Sequence, residues 1–273
     1  MQEVRYHMLR PEQIVSRRQE CPVAYIPLGN LEWHGLHNPV GADTLQAEAL
    51  SVLCAGKGGG LAFPPLYYGE SRVESLMEAG AEDRNLIAEK MGLSPDNFSA
   101  DKHPFTATEQ AQNYHKLLIH ILAEVESLGF ELGVFVTGHY PLIDYARAAA
   151  LHFNKRRYSR YHGMLAWACM DYLLIKDNYD CAGDHAAGWE TSHMLAINPE
   201  TVDLDTLPPK GQKLIGAGGK MAPQDANADF GRETLEAAAE IAIKEVKHRL
   251  ENRQAYQSHG NSLLEGLWKK TKV

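Results

Sequence analysis

An apolar run, a turn crowded with ionisable side chains and a helical pattern follow one another between residues 23 and 53. The run from Val23 to Leu28 has the Val, Ala, Tyr and Ile content of a strand that is buried on both faces of a sheet. Gly35 and Gly41 let the chain fold back before apolar residues recur at helical spacing from Leu45. A buried strand that turns into a helix in this way is typical of a parallel α/β sheet.

Ionisable residues in this turn are candidates for one metal site, namely Glu32, His34 and Asp43, with His37 beside them. Alternate residues of an extended backbone point the same way, so Glu32 and His34 can aim at one point. Asp43 stands where the helix begins and adds a second carboxylate. Zn²⁺ and Mn²⁺ accept such a mixed set of imidazole nitrogens and carboxylate oxygens. Asp43 followed by Gln46 also fits a helix N-cap with a capping box, and this alternative stays open.

Two further polar clusters follow apolar runs later in the chain. The run from Leu132 to Val136 ends just before His139, and the run from Gly163 to Ala168 leads to His185 and Glu190. Because the carboxyl ends of parallel strands meet at one edge of a sheet, the three clusters are expected to form one site. A site that draws on most of the chain predicts an α/β fold in a single domain of all 273 residues.

Helices are predicted where apolar residues recur every three or four positions. The predicted helices comprise residues 11–18, 45–54, 106–128, 142–155, 191–197 and 231–252. Thr106 followed by Glu109 predicts a capping box at the start of the third of these helices.

The composition excludes several classes of function. A formal net charge of −8 argues against a nucleic-acid partner, because a phosphate-binding surface needs a basic face. The four cysteines are scattered without a C-x-x-C pair, so neither a disulfide framework nor a thiolate zinc site is expected. No window approaches the length of about 18 apolar residues that a membrane span needs, and the N-terminus has no signal-peptide core. A cytoplasmic protein without a membrane partner is therefore expected.

The three polar clusters resemble the signatures of the creatininase (creatinine amidohydrolase) family. The segment LEWHGLHNPVGAD is similar to the family pattern Glu-x-His-Gly-x-His-x-Pro followed by Gly-x-Asp. Thr137-Gly138-His139 resembles Asn-Gly-His, and HAAGWETS resembles His-Ala-Gly-x-x-Glu-Thr-Ser. The resemblance implies a three-layer α/β/α domain with a mostly parallel sheet, assembled as a homo-oligomer, with a hexamer favoured.

The same resemblance implies two divalent metal ions, Zn²⁺ or Mn²⁺, with Fe²⁺ as a further candidate. Their implied ligands are Glu32, His34, Asp43 and His139, with Asp43 bridging both ions. Two such ions activate water and polarise a carbonyl. His185 matches a histidine that transfers protons, a role that its near-neutral pKa suits. The resulting prediction is a metal-dependent hydrolase of a small cyclic or amide-like molecule.

This chain departs from the family pattern at two residues and by one insertion. Trp33 stands where the family commonly has Gln, and Pro141 replaces a metal-binding Glu of creatininase itself, so a substrate other than creatinine is expected. A second ion held by His34 and Asp43 alone would lack a third protein ligand, and Glu190 is predicted to supply it and to take part in catalysis. A plain carboxylate at a helix start is the alternative for Glu190. The insertion, residues 72–105, is interpreted as a lid or subunit contact rather than surface decoration.

Residues that flank the clusters are predicted to contact the substrate, namely Trp33, His37, Tyr140 and Trp189. Other substrates stay open within the family. One is an oxidised inositol ring, such as a diketo-inositol or dehydro-inosose, opened at a carbon-carbon bond, and another is a formamide that loses its formyl group. A metal-dependent isomerase or a non-catalytic metal-binding protein is the alternative from another class.

Overall fold

Four parallel strands form the central sheet of the protein, seen in a computed structural model that describes residues 2–69, 82–98, 104–155 and 163–256. The strands are β1 (Val23–Leu28), β2 (Leu61–Ala62), β3 (Leu132–Thr137) and β4 (Leu165–Met170), in the order β2-β1-β3-β4. All of their pairings are parallel. The predicted α/β fold class with a parallel sheet is therefore confirmed.

Helices connect the strands and cover both faces of the sheet. In chain order they are α1 (Pro11–Glu20), α2 (Ala42–Gly58), α3 (Arg84–Lys90), α4 (Ala107–Ser127), α5 (Leu142–Asn154), α6 (Asp171–Ile175), α7 (Gly188–Ile197), α8 (Ala228–Glu251) and α9 (Arg253–Tyr256). Among the described residues, none of these helices has the length and apolar character needed to cross a bilayer.

Side chains alternate between the two faces of the sheet and form two cores. Val134 and Trp167 belong to the core that includes buried residues of α2 and α8. Phe135 and Ala166 belong to the core that includes buried residues of α4 and α5. The strands are buried along their whole length, as their apolar sequence predicts for a sheet between two helical layers.

Most predicted elements lie where the sequence places them, with shifts of a few residues at their ends. The predicted capping box is present, because Thr106 Oγ1 accepts a bond from Glu109 N (3.2 Å) and Glu109 Oε2 accepts one from Thr106 N (2.8 Å). The capping alternative for Asp43 is wrong. Helix α2 starts earlier than predicted, Gly41 is its N-cap, and Asp43 lies in its first turn without capping it.

Two glycines allow the strand ends to approach the start of α2. A Cβ atom at Gly138, after β3, would lie 1.8 Å from the carbonyl oxygen of Asp43. A Cβ atom at Gly29, after β1, would lie 2.5 Å from the backbone nitrogen of Thr44. Any side chain at these positions would force the backbones apart, so the glycines set how closely the later polar side chains can gather.

The predicted insertion lies partly outside the described residues, which include its positions 82–98 and 104–105. There α3 and a short 3₁₀ turn, Pro95–Phe98, bury Ile87 and Phe98 in a small cluster with Trp33. This part of the insertion is packed against the loop that follows β1 and is not surface decoration. Its role as a lid or a subunit contact stays a prediction.

Candidate metal centre

Six ionisable side chains from four separate segments meet beyond the carboxyl ends of β1, β3 and β4. They are Glu32 and His34 in the loop after β1, Asp43 in the first turn of α2, His139 after β3, and, in one segment, His185 just before α7 and Glu190 in its first turn. All are buried except His185, whose side chain is 19% exposed. The predicted convergence of the three sequence clusters is thus present in the fold.

Asp43 lies between two groups of these side chains. Its Oδ1 is 3.1 Å from His34 Nε2, and its Oδ2 is 3.2 Å from His139 Nδ1. On one side, Glu32 Oε1 lies 3.0 Å from the same His139 nitrogen. On the other side, Glu190 Oε2 lies 3.4 Å from His34 Nε2. Two sets of three donors result, Glu32 with Asp43 and His139, and His34 with Asp43 and Glu190, each with its ligand atoms within 4.8 Å of one another.

The pKa shifts in this cluster indicate that it is suited to bind a cation. Burial, together with the charge of Asp43, raises the pKa of Glu32 to about 7. Burial also raises the pKa of Glu190 well above its usual value. Burial opposes a charge on His34 as well, but the carboxylates of Asp43 and Glu190 outweigh it and raise the His34 pKa to about 10. The raised pKa of His34 thus indicates that the carboxyl groups around it favour a positive charge at this point.

A divalent ion fits these donors. Each set offers one imidazole nitrogen and two carboxylate groups, the mixture that Zn²⁺ and Mn²⁺ accept. Glu32 Oε2 is buried, and no donor among the described residues forms a hydrogen bond with it. Because an ionised carboxylate oxygen without a partner is costly to bury, a bound cation would satisfy an atom that the protein leaves unpaired.

His185 has a defined orientation beside the cluster. Its Nε2 lies 2.8 Å from the carbonyl oxygen of Trp33, which can only accept a hydrogen bond, so Nε2 carries the hydrogen. Its Nδ1 then faces inward, 3.5 Å from Glu32 Oε1. Burial and the positive charge of His34 lower the His185 pKa to about 3, below the near-neutral value expected from the sequence, and so keep its imidazole neutral. His185 also forms a third group of potential metal donors with Glu32 and His34.

Hydrogen bonds at the start of α7 fix the position of Glu190. The carboxylate of Asp184 accepts hydrogen bonds from the backbone N–H groups of Trp189 (2.6 Å) and Glu190 (3.2 Å), which fixes the first turn of α7. The Ala186 N–H donates to Glu190 Oε2 at 2.7 Å, on the atom that also faces His34. Asp184 was not predicted from the sequence, although an Asp shortly before a helix start is a recognisable capping signal.

A cavity of about 380 Å³ opens onto the cluster. Tyr140 and Tyr172 stack on its wall with ring centroids 6.2 Å apart, and Pro141 and Met170 add apolar surface. Tyr140, one of the predicted substrate contacts, therefore lines the cavity at the cluster. Tyr172, two residues after β4, was missed because nothing in the sequence distinguishes it from other tyrosines.

The structure does not bring the other predicted substrate contacts to the wall of this cavity. Trp33 is buried and donates its indole N–H to the carbonyl oxygen of Ile215 (2.7 Å). His37 Nε2 pairs with the carbonyl oxygen of Ala186 (3.0 Å). Trp189 is buried and donates its indole N–H to Asp171 Oδ2 (3.0 Å). All three side chains are fixed within the protein and hold neighbouring segments together.

The exposed carboxylate nearest in sequence to Pro141 is not part of the cluster. Asp144 lies in the first turn of α5, its side chain is 80% exposed, and its nearest ionic contact is Arg147 on the same helix. Pro141 lies at the N-cap of α5 and lines the cavity without a donor atom in its side chain. Of Asp144 and Glu190, only Glu190 belongs to the second donor set.

Comparison with known proteins shows which family the sequence and fold of this chain match. The family model described as Creatininase: Creatinine amidohydrolase matches residues 7–246. The creatinine amidohydrolase of Pseudomonas putida is 26% identical over 199 residues, which cover 68% of each protein. A solved creatininase structure superposes with a TM-score of 0.65 at 20% identity, covering 91% of this chain and 98% of the other. A variant of the Zn-Zn type gives a TM-score of 0.63 and a creatininase Mn structure gives 0.62, each at 21% identity over 91% of this chain and 99% of the other.

Proposed function

The chain belongs to the creatininase family, whose members are metal-dependent amidohydrolases, and from this premise we propose that it hydrolyses a small cyclic or amide-like substrate at a centre of two divalent metal ions. The observation that carries the proposal is the position of Asp43, whose two oxygens face different histidines. A carboxylate that belongs to two donor sets is suited to bridge two ions.

The residues of each donor set have separate tasks in this proposal. Glu32, Asp43 and His139 would hold one ion, and His34, Asp43 and Glu190 would hold the other. When bound, such ions act as Lewis acids toward a carbonyl group and lower the pKa of water. His34 would have to lose its proton to become a ligand, so metal binding to its set would release a proton.

His185 is proposed as the group that moves protons. Its Nδ1 faces the cluster while its Nε2 hydrogen is held by the Trp33 carbonyl group. A neutral imidazole with a free inward nitrogen can take a proton from the attacking water and return it to the leaving nitrogen. The Trp33 carbonyl group then stabilises the imidazolium that forms between these two steps.

The volume and lining of the cavity favour a small and partly planar substrate. A volume of about 380 Å³ lies in the range of pockets for small molecules, and the exposed ring of Tyr140 offers a surface on which a flat ring can stack. The side chain of Pro141 supplies no ligand where creatininase itself has a Glu, so we propose a substrate other than creatinine. Opening of an oxidised inositol ring and removal of a formyl group are the alternative reactions of the same centre.

Metal analysis and turnover test the proposal together. The purified protein is stripped with a chelator, reloaded with Zn²⁺ or Mn²⁺ and assayed for metal content. It is then assayed with creatinine, hydantoin, dihydrouracil, an N-formyl amine and a cyclic diketone. About two equivalents per chain are expected, together with incorporation of one solvent ¹⁸O atom into the product.

The variant Asp43→Ala should lose both ions and all turnover, whereas the exposed Asp144→Ala should keep both. Full metal content in Asp43→Ala would overturn the proposed centre. Turnover without ¹⁸O in the product would favour an isomerase, and a loaded protein that turns over none of the compounds would favour a non-catalytic metal-binding protein. Assembly as a hexamer and a cytoplasmic location stay predictions, and light scattering on the eluted protein would test the former.

A further inference from the structure

Two of the departures from the family pattern meet in one place. Trp33, which stands where the family commonly has Gln, packs against Ile87 and Phe98 of the insertion. Ile215, from the loop before α8, packs against the same group, and its carbonyl oxygen accepts the indole N–H of Trp33. The unusual tryptophan and the insertion are therefore parts of one contact, which we call the Trp33 cluster (Trp33, Ile87, Ala88, Phe98 and Ile215).

The side chain of Asp83 links the insertion to the loop that contains Ile215. Its Oδ2 accepts a hydrogen bond from the Gly216 N–H (3.0 Å), and its Oδ1 pairs with Lys213 Nζ (2.8 Å). Asp83 itself is buried, whereas the Lys213 side chain is 68% exposed. The bond to Gly216 is thus the more sheltered of the two, and the ion pair alone should contribute little because it is screened by solvent.

This loop is directly bonded to His185. The His185 N–H donates to the Gly218 carbonyl oxygen (3.0 Å), and the Gly218 N–H donates to the His185 carbonyl oxygen (2.8 Å). The imidazole ring is held separately, because its Nε2 donates to the Trp33 carbonyl oxygen (2.8 Å). The backbone of His185 and its ring are therefore both fixed by partners that belong to, or adjoin, the Trp33 cluster.

We propose that residues 82–98 of the insertion brace His185, with Asp83 and Trp33 as positioning residues that keep its Nδ1 directed at the metal centre. The inference rests on the proposed function, since it concerns the orientation of the group that transfers protons. Neither positioning residue lines the cavity at the centre or belongs to a donor set, so both act through His185 and not on the substrate or the metal. A misplacement of about 1 Å can lower a rate about 10²-fold, so even a modest loosening is measurable.

Three substitutions separate the two bonds of Asp83. Asp83→Ala removes both, Asp83→Asn keeps an oxygen that can accept from Gly216, and Lys213→Met removes only the ion pair. Asp96→Ala, an exposed carboxylate of the same insertion, is the matched control. The probe is the cyclic amide that the zinc-loaded wild type opens fastest, with kcat, KM, metal content and amide hydrogen exchange of residues 183–189 and 213–220 as readouts.

Asp83→Ala should lower kcat about 10-fold with KM and metal content unchanged, and should speed exchange in both segments. Asp83→Asn and Lys213→Met should stay within about 3-fold of the wild type, as expected when an exposed ion pair is lost. In a His185→Ala background Asp83→Ala should cost nothing further, because the effect passes through the missing imidazole.

Equal losses in both backgrounds, loss of metal, or unchanged exchange at residues 183–189 would overturn the inference. Faster exchange with wild-type kcat would overturn it as well, because His185 would then need no brace. If the wild type turned over none of the compounds assayed above, the proposed function would fail, whereas the exchange rates would still decide whether the insertion holds His185.

Discussion

Replacement of Glu190 by Gln tests the second donor set most sharply. Gln has the same shape, and its side-chain oxygen can still accept the Ala186 N–H that now bonds to Glu190 Oε2 at 2.7 Å. The substitution therefore removes a negative charge and a metal donor while it leaves the start of α7 supported by Asp184. The expected result is a decrease from two bound equivalents of metal to one, with activity lost and the fold kept.

The size of the expected change in stability follows from the thermodynamic linkage between metal binding and unfolding. Loss of an outer-sphere partner typically weakens metal binding about 10- to 100-fold, so loss of a direct donor should weaken it by about 100-fold or more. At free zinc about 100-fold above the dissociation constant, binding stabilises the wild type by about 2.7 kcal/mol, and a 100-fold weaker site gains only about 0.4 kcal/mol. For a chain of 273 residues, the zinc-dependent rise in melting temperature should therefore shrink by roughly 4 °C.

Thermal melts with and without zinc, together with elemental analysis, measure this change. The metal-free Glu190→Gln variant should melt at or above the metal-free wild type, because burial already disfavours the charge that the substitution removes. Asp144→Asn, at an exposed carboxylate, is the control and should behave as the wild type. Two retained equivalents and a full zinc-dependent shift in Glu190→Gln would refute the reasoning, and Glu190 would then serve only the start of α7.

Two further predictions concern the histidines. His185→Ala should keep both metal equivalents and lose about 10²- to 10⁴-fold in turnover, and a loss of metal would instead make His185 a ligand. The metal-stripped protein should lose stability as the pH rises from about 6.5 to about 10, because the raised pKa of His34 lets the folded state keep a proton that the unfolded state releases. Melting curves across this range should slope downward in the wild type and less so in His34→Gln, and a flat wild-type curve would contradict the prediction.

The regular elements were predictable because their signals are local. Apolar runs indicate buried β-strands, and apolar residues at helical spacing indicate amphipathic helices. The capping box at Thr106 requires only a partner three residues away. The errors lie at the ends of elements. Helix α2 begins at Ala42 rather than at Leu45, because the last residues of the predicted turn are already helical. Strand β4 comprises Leu165–Met170 rather than the predicted residues 163–168. Element ends depend on neighbours that spacing does not report.

The gathering of the polar clusters was also predictable, since the carboxyl ends of parallel strands must share one edge of the sheet. Glu32, His34 and Asp43 are close in sequence, and His139 follows the strand that pairs with β1. Glu190 was expected at the site because its cluster follows a strand and resembles the family signature, and it was assigned to the set of His34 because a ligand was missing at Pro141. The distance of 3.4 Å between these side chains is a property of the packed fold, not of any sequence spacing.

The sequence by itself determined the layered fold and the residue types that gather at one edge, because strand and helix periodicity direct side chains to fixed faces. Only the tertiary structure decided where loop side chains point. Trp33 lies one residue from Glu32, yet it turns away from the cavity because the insertion and Ile215 offer an apolar surface and a carbonyl acceptor. A loop residue has no periodic direction of its own, so its orientation is set by whichever distant segment packs against it.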